Sequence, residues 1–175
     1  MRVWIRILVS LCAAAALSAT TLEQLSLDDM IQKSTSIVRA RVTGSRTSTH
    51  ASDIYTHYQL QTSESWKGAA ITEVAVPGGV VQGIRQSVNG APELQTGQEY
   101  VLFLWTSRSG LTQVIGLSQG LFKLSEERSG GVVVQRPPAP ELMLDRSGRP
   151  VEDQAVSMKL QDLRLRVRQA IGAAR

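Results

Sequence analysis

The stretch GQEYVLFLWTSRSGLTQVIGLSQGLFKL, residues 97–124, decides the fold. Tyr100 to Trp105 is an unbroken run of six apolar or aromatic residues, most of them types that favour strands. Alternation sends Tyr100, Leu102 and Leu104 to one face, and Val101, Phe103 and Trp105 to the other. Both faces are apolar, so this strand is expected to be covered on both sides, as a central strand of a barrel or sandwich. Two shorter apolar runs, Val114–Leu117 and Leu121–Leu124, follow it, punctuated by Gly116 and Gly120.

Outward from this stretch the chain keeps reading as short strands. Towards the N-terminus, Ser36–Thr43 alternates cleanly, with Val38, Ala40 and Val42 inward and Ile37, Arg39 and Arg41 outward. Gly44–Asp53 is polar and reads as a turn-rich loop. Ile54–Thr62 alternates again, with Ile54, Tyr58 and Leu60 on one face and Tyr55, His57, Gln59 and Gln61 on the other. Trp66 is expected as a core plug before a turn at Gly68. Glu73–Val76 is a short strand, stopped by Pro77-Gly78-Gly79. Val80–Val88 resumes extended structure, and Gly83 within it suggests a bulge. Ser26-Leu-Asp-Asp29 has the pattern of a capping box, which predicts a short helix over Leu27–Lys33.

Towards the C-terminus, Ser129-Gly130-Gly131 is expected as a hairpin turn with Val132–Gln135 as its return strand. Pro137-Pro138-Ala139-Pro140 is expected to end the β region, because successive prolines cannot donate to a ladder. Val156, Leu160, Leu163, Val167 and Ile171 form one apolar stripe at helical spacing, with Ser157 as its N-cap and Gly172 beyond its end. The expected organisation is a signal segment over 1–19, an OB-like β-barrel domain with an N-terminal helix over 20–136, and a Pro-rich connection over 137–175. That connection ends in an amphipathic helix packed on the barrel.

A chain of 175 residues with 42% hydrophobic and 19% charged residues is long enough and apolar enough for one globular core. Arg2 and Arg6, the apolar stretch Ile7–Leu17 and the small residues after it have the layout of a secretory signal peptide. The apolar run is shorter than the roughly 20 residues a membrane span needs, so no span is expected after cleavage. The only cysteine, Cys12, lies inside that segment. The exported chain, periplasmic or secreted, is therefore expected to hold by packing without disulfides. Loss of Arg2 and Arg6 leaves 17 basic against 15 acidic residues, a net of +2. The one basic cluster, Arg164, Arg166 and Arg168, is spread around a helix by its spacing of two. That is not the clustered face that nucleic acid binding requires.

No catalytic, metal or cofactor constellation is legible. His50 and His57 are the only histidines, too few for a zinc site without cysteine. His57 falls on the polar face of its strand and is expected to be solvated. Gly116-Leu-Ser-Gln-Gly120 matches GxSxG as a string, but no long helix and no histidine follow Ser118, so a turn between strands is expected. The carboxylate pairs Asp28-Asp29, Glu126-Glu127 and Glu152-Asp153 diverge or serve a helix start, rather than facing one cleft. The remaining candidate is a binding loop, Gly78, Gly79, Gln82 and Arg85, where backbone amides beside an arginine could form an anion nest.

Taken in order, SIVRARVTGS, YTHYQLQTSESWKG, TEVAVPGG and TGQEYVLFL resemble the netrin-like module, the family of the tissue inhibitors of metalloproteinases. The matching elements are Arg41–Gly44, Trp66–Gly68 and Gly97–Leu104, and the resemblance covers roughly residues 36–124. It also extends to small exported bacterial proteins of unassigned role. The resemblance implies an OB-like barrel of about five to seven strands, with flanking helices. It carries no activity over, because the inhibitors' N-terminal cysteine has no counterpart here. The expected function is a non-enzymatic exported binding or interaction module whose partner is another exported protein. A regulator of a secreted protease and a hydrolase are the alternatives.

Overall fold

The computed structural model describes residues 21–127, 130–139 and 141–173. The expected signal segment and Ser129 of the expected hairpin turn lie outside them. In chain order the elements are β1 (Thr21–Glu23), α1 (Leu27–Lys33), β2 (Ser36–His50), β3 (Asp53–Lys67), β4 (Glu73–Pro77), β5 (Gly79–Val81) and β6 (Ile84–Gln86). They continue as β7 (Glu99–Thr106), β8 (Thr112–Val114), β9 (Leu121–Glu126), β10 (Val132–Arg136), β11 (Leu142–Leu144), β12 (Pro150–Val151), β13 (Val156–Lys159) and α2 (Leu160–Ala173). The fold is mainly β, with one short helix near each end of the described chain.

The main sheet runs β13-β10-β9-β7-β2-β3-β4, antiparallel throughout, with β8 added to β7. β7 sits in its middle, and its alternation sorts two cores. Tyr100, Leu102 and Leu104 pack with Val38, Val42, Leu60, Val74 and Val114 on one side. Val101 and Phe103 pack with Phe122, Met30, Ile31, Leu163 and Val167 beneath the two helices. Trp105 leaves the pattern and is 39% exposed. β4 and β8 lie side by side, but no ladder joins them, so the sheet curls without closing into a barrel among the described residues.

α1 forms where its cap predicts. Ser26 Oγ accepts from the Asp29 amide at 3.0 Å, and Asp29 Oδ2 accepts from the Ser26 amide at 3.2 Å. Its other end is tied down by Lys67, whose Nζ donates to the carbonyls of Ile31 and Gln32 at 2.7 and 2.9 Å. The Lys-Gly turn thus joins the sheet to the helix. Gly68 has φ +68°, and a Cβ there would stand 2.3 Å from the Thr35 carbonyl oxygen, so only glycine fits.

Five expectations are corrected. Ile37 does not face outward: it is fully buried beneath the helices with Phe103 and Phe122, because the sheet is covered on that side too. The polar stretch Gly44–Asp53 is not a loop: β2 runs on to His50 and turns at Ala51-Ser52 into β3. Its serines and threonines give no hydrophobic alternation, yet they suit an extended arm whose partner strand supplies the ladder. Gly83 is not a bulge. Gln82 and Gly83, with φ of 49° and 81°, are the two-residue turn of the β5–β6 hairpin. The prolines after Arg136 do not end the β region, since β11 pairs in parallel with β1, and β13 pairs with β10 as the edge of the main sheet. Finally, Ser157 is not an N-cap: it stands opposite Gln135 within β13, and α2 begins only at Leu160. Pairing with β10 wins over the helical period there, while Leu160, Leu163 and Val167 still bury the expected stripe.

Candidate functional site

The sequence candidates Gly78, Gly79, Gln82 and Arg85 all belong to the β5–β6 hairpin or its entry. The Gly78 amide donates to the Ile54 carbonyl at 2.7 Å, and the Gly78 carbonyl accepts from Thr56 Oγ1 at 2.8 Å. Gly79 pairs with Gln86 in the hairpin ladder. Gln82 and Arg85 are exposed, beside an Ile84 that is 68% exposed. The hairpin thus presents an apolar and basic tip, while the Gly78 amide that an anion nest would use is already engaged.

A concavity lies on elements other than this hairpin. A groove of about 1020 Å³ runs between the N-terminal segment, the start of α1, and the chain after β12. Its floor includes Leu25, Met30, Phe122, Val156 and Met158, and its rim carries Asp29, Arg146, Glu152 and Arg166. The lining is thus mixed, with apolar side chains from the strands and helix beside several charged ones, more like a polypeptide-binding surface than an enclosed small-molecule pocket. Asp29 is paired with Arg146, and Arg166 with Asp28. The segment that forms the groove's near wall is pinned from inside by Gln119, which is almost fully buried. Its Oε1 accepts from the Leu25 amide at 2.8 Å, and its Nε2 donates to the Glu23 carbonyl at 3.0 Å.

Arg136 and Asp153 also line this groove, and they form its one deeply buried ion pair. Arg136 Nη1 and Nη2 donate to the two carboxylate oxygens at 2.7 and 3.0 Å, with side-chain exposures of 8% and 3%. The Ala139 amide adds a third bond to Asp153 at 2.8 Å, which fixes the strap after β10. Arg136 Nε is buried without a partner. The sequence held no signal for this pair, because a separation of 17 residues across two strands and a strap has no period.

His57 is the second surprise. It is only 7% exposed and not solvated as expected. Nδ1 lies 2.8 Å from Glu73 Oε1, Nε2 lies 2.8 Å from Ser48 Oγ, and Arg46 Nη2 reaches both Glu73 oxygens at 3.2 and 2.9 Å. Cross-strand neighbours on β2 and β4 cover the ring, so a polar face buries a polar side chain. Ser118, by contrast, sits in the turn between β8 and β9.

Burial pushes the Asp153 carboxyl up, but hydrogen bonds from Arg136 and the Ala139 amide outweigh it and leave it below its ordinary 3.8. Burial likewise raises Glu73, while hydrogen bonds from His57 and Arg46 bring it below its ordinary 4.5. Both values are lower folded than unfolded, so the ionised carboxylates stabilise the fold in full above about pH 4.5. This contribution is lost as pH falls through their folded values. Urea unfolding at stepped pH is expected to show stability level from neutrality to about pH 5, then falling steeply below pH 4. In Asp153→Asn that fall is expected to be shallower. An equally steep fall in this variant would remove Asp153 as a cause.

Among the described residues, no cluster of three or more histidine, cysteine or carboxylate groups is placed to hold a metal ion. No helix among them is long and apolar enough to cross a membrane. No protein-family model matches this chain, and no curated protein is detectably similar to it in sequence.

Proposed function

We propose that the chain is an exported binding module on a partly open, OB-like barrel, and that the groove at Arg136 holds an extended segment of another exported protein. Export rests on the N-terminal sequence pattern. The OB-like reading is supported by the curled sheet β8-β7-β2-β3-β4, which encloses its own apolar core. The observation that supports the binding role is the groove itself, about 1020 Å³, which sets apolar residues beside charged ones, a make-up suited to a polypeptide segment. β13 is the edge strand of the main sheet, and its Val156 and Met158 line the groove. As the edge strand among the described residues, it offers main-chain hydrogen bonds to an incoming strand, while the floor takes alternate side chains.

The immobilised chain, exposed to the exported fraction of its own cell, tests this reading. A retained polypeptide that is lost when Gln154→Trp fills the lip of the groove is the expected result; retention unchanged by that substitution counts against it. Regulation of a secreted protease, the form suggested by the netrin-like resemblance, predicts that the retained polypeptide is a protease whose turnover the chain lowers.

A further inference from the structure

The outer face of β2, β3 and β4 carries a hydrogen-bonded relay that the binding role does not use. β2 brings Ser48, β3 brings His57 and β4 brings Glu73, and the register places them diagonally across neighbouring strands. Each imidazole nitrogen has one partner, at 2.8 Å in both cases. The arginine at position 46, directly opposite His57, holds the far side of the Glu73 carboxylate. With Glu73 ionised it accepts from Nδ1–H, which leaves the Nε2 lone pair facing the Ser48 hydroxyl. That is the tautomer and order of partners that turn a serine into a nucleophile.

We propose that Ser48 is an activated nucleophile and that this face transfers the acyl group of small, reactive esters. Ser48 Oγ bonds to the ester carbonyl carbon as its proton passes to His57 Nε2. The carbonyl electron pair moves onto oxygen, and it returns as the bond to the leaving alcohol breaks and that alcohol takes the proton. Water then repeats the sequence on acyl-Ser48, releasing the acid and restoring the hydroxyl.

The surroundings set what such a substrate is. Ser48 is half-buried and reachable, whereas none of the principal clefts is lined by Ser48, His57 or Glu73. An open sheet face cannot enclose a large acyl chain or exclude water, so aryl esters with good leaving groups are the substrate class. Tyr55 stands opposite Ser48, with its ring 6.5 Å from the His57 ring and 6.3 Å from that of His50, an aromatic surface for a short acyl group. Arg46 is engaged with both Glu73 oxygens, so it holds the carboxylate that orients His57.

The probes are a fluorophosphonate, which phosphonylates activated serines, and p-nitrophenyl acetate. The expected result is a single adduct on Ser48, located by peptide mass spectrometry, with p-nitrophenol release. Ser48→Ala abolishes the adduct, and both His57→Gln and Glu73→Gln slow labelling by about 10² or more. Ser118→Ala, in the turn between β8 and β9, leaves labelling unchanged. An unlabelled wild-type chain with cooperative unfolding overturns the proposal, and so does labelling that survives Ser48→Ala. Neither outcome bears on the groove, which lies on other elements.

Discussion

Asp153→Ala is expected to lower the unfolding free energy by about 3–5 kcal/mol, the cost of leaving one partner of a buried ion pair uncompensated. The arginine left behind has a side chain only 8% exposed and already carries an unpartnered Nε. The Ala139 amide loses its acceptor as well. A domain of this size has roughly 5–15 kcal/mol in total, so the loss is a large fraction of what holds it folded. The double change Arg136→Met with Asp153→Leu removes both charges and is expected to recover most of the loss. Urea midpoints at unchanged m-value measure both. A single-variant loss below about 1 kcal/mol would mean that the pair is solvated in the native protein.

Phe103→Ala is the other large effect, with an expected cost of about 3–5 kcal/mol from lost transfer energy and the cavity left behind. Phe103 is fully buried under the helices, with its ring centroid 5.5 Å from that of Phe122. Its neighbour Leu102 faces the opposite core, and Leu102→Ala is expected to cost about 2–5 kcal/mol. Trp105→Ala, two residues further along the face of Phe103 but partly exposed, is expected to cost about 1 kcal/mol or less. Adjacent residues with large effects, followed by a small one at Trp105, are the signature of a strand shared by two cores. A large loss at only one of Phe103 and Leu102 would contradict it.

What the sequence disclosed follows from where hydrophobic contrast is strong. The two-faced run Tyr100–Leu104, the capped helix Leu27–Lys33 and the stripe Leu160, Leu163 and Val167 each have a period that burial imposes. β2 beyond Gly44 has none, because its Arg, Ser and Thr residues face solvent on one side and polar neighbours on the other. β11, β12 and β13 are too short for a period: β11 and β13 exist through distant partners, β1 and β10, and β12 by pairing with β11.

The site residues were hidden for a related reason. Arg136 and Asp153 meet only after the strap and β13 have folded back, and Gln119 works through backbone groups nearly a hundred positions away. Ser48 lies in no motif, since the hairpin register alone sets it diagonal to a histidine nine residues later, with its hydroxyl 2.8 Å from the ring. Knowing that Ala51-Ser52 is the turn would have made that alignment readable.

On the proposed binding role, the groove beside Arg136 receives a polypeptide. A photo-crosslinking p-benzoylphenylalanine in place of Glu152, exposed on the groove rim, tests it most directly in the exported fraction. A discrete crosslinked partner is predicted from position 152, with none from the same residue at Gln61, on the polar face of β3. Crosslinks from position 61 alone, or none from position 152, would rule out the groove as the place where a polypeptide binds.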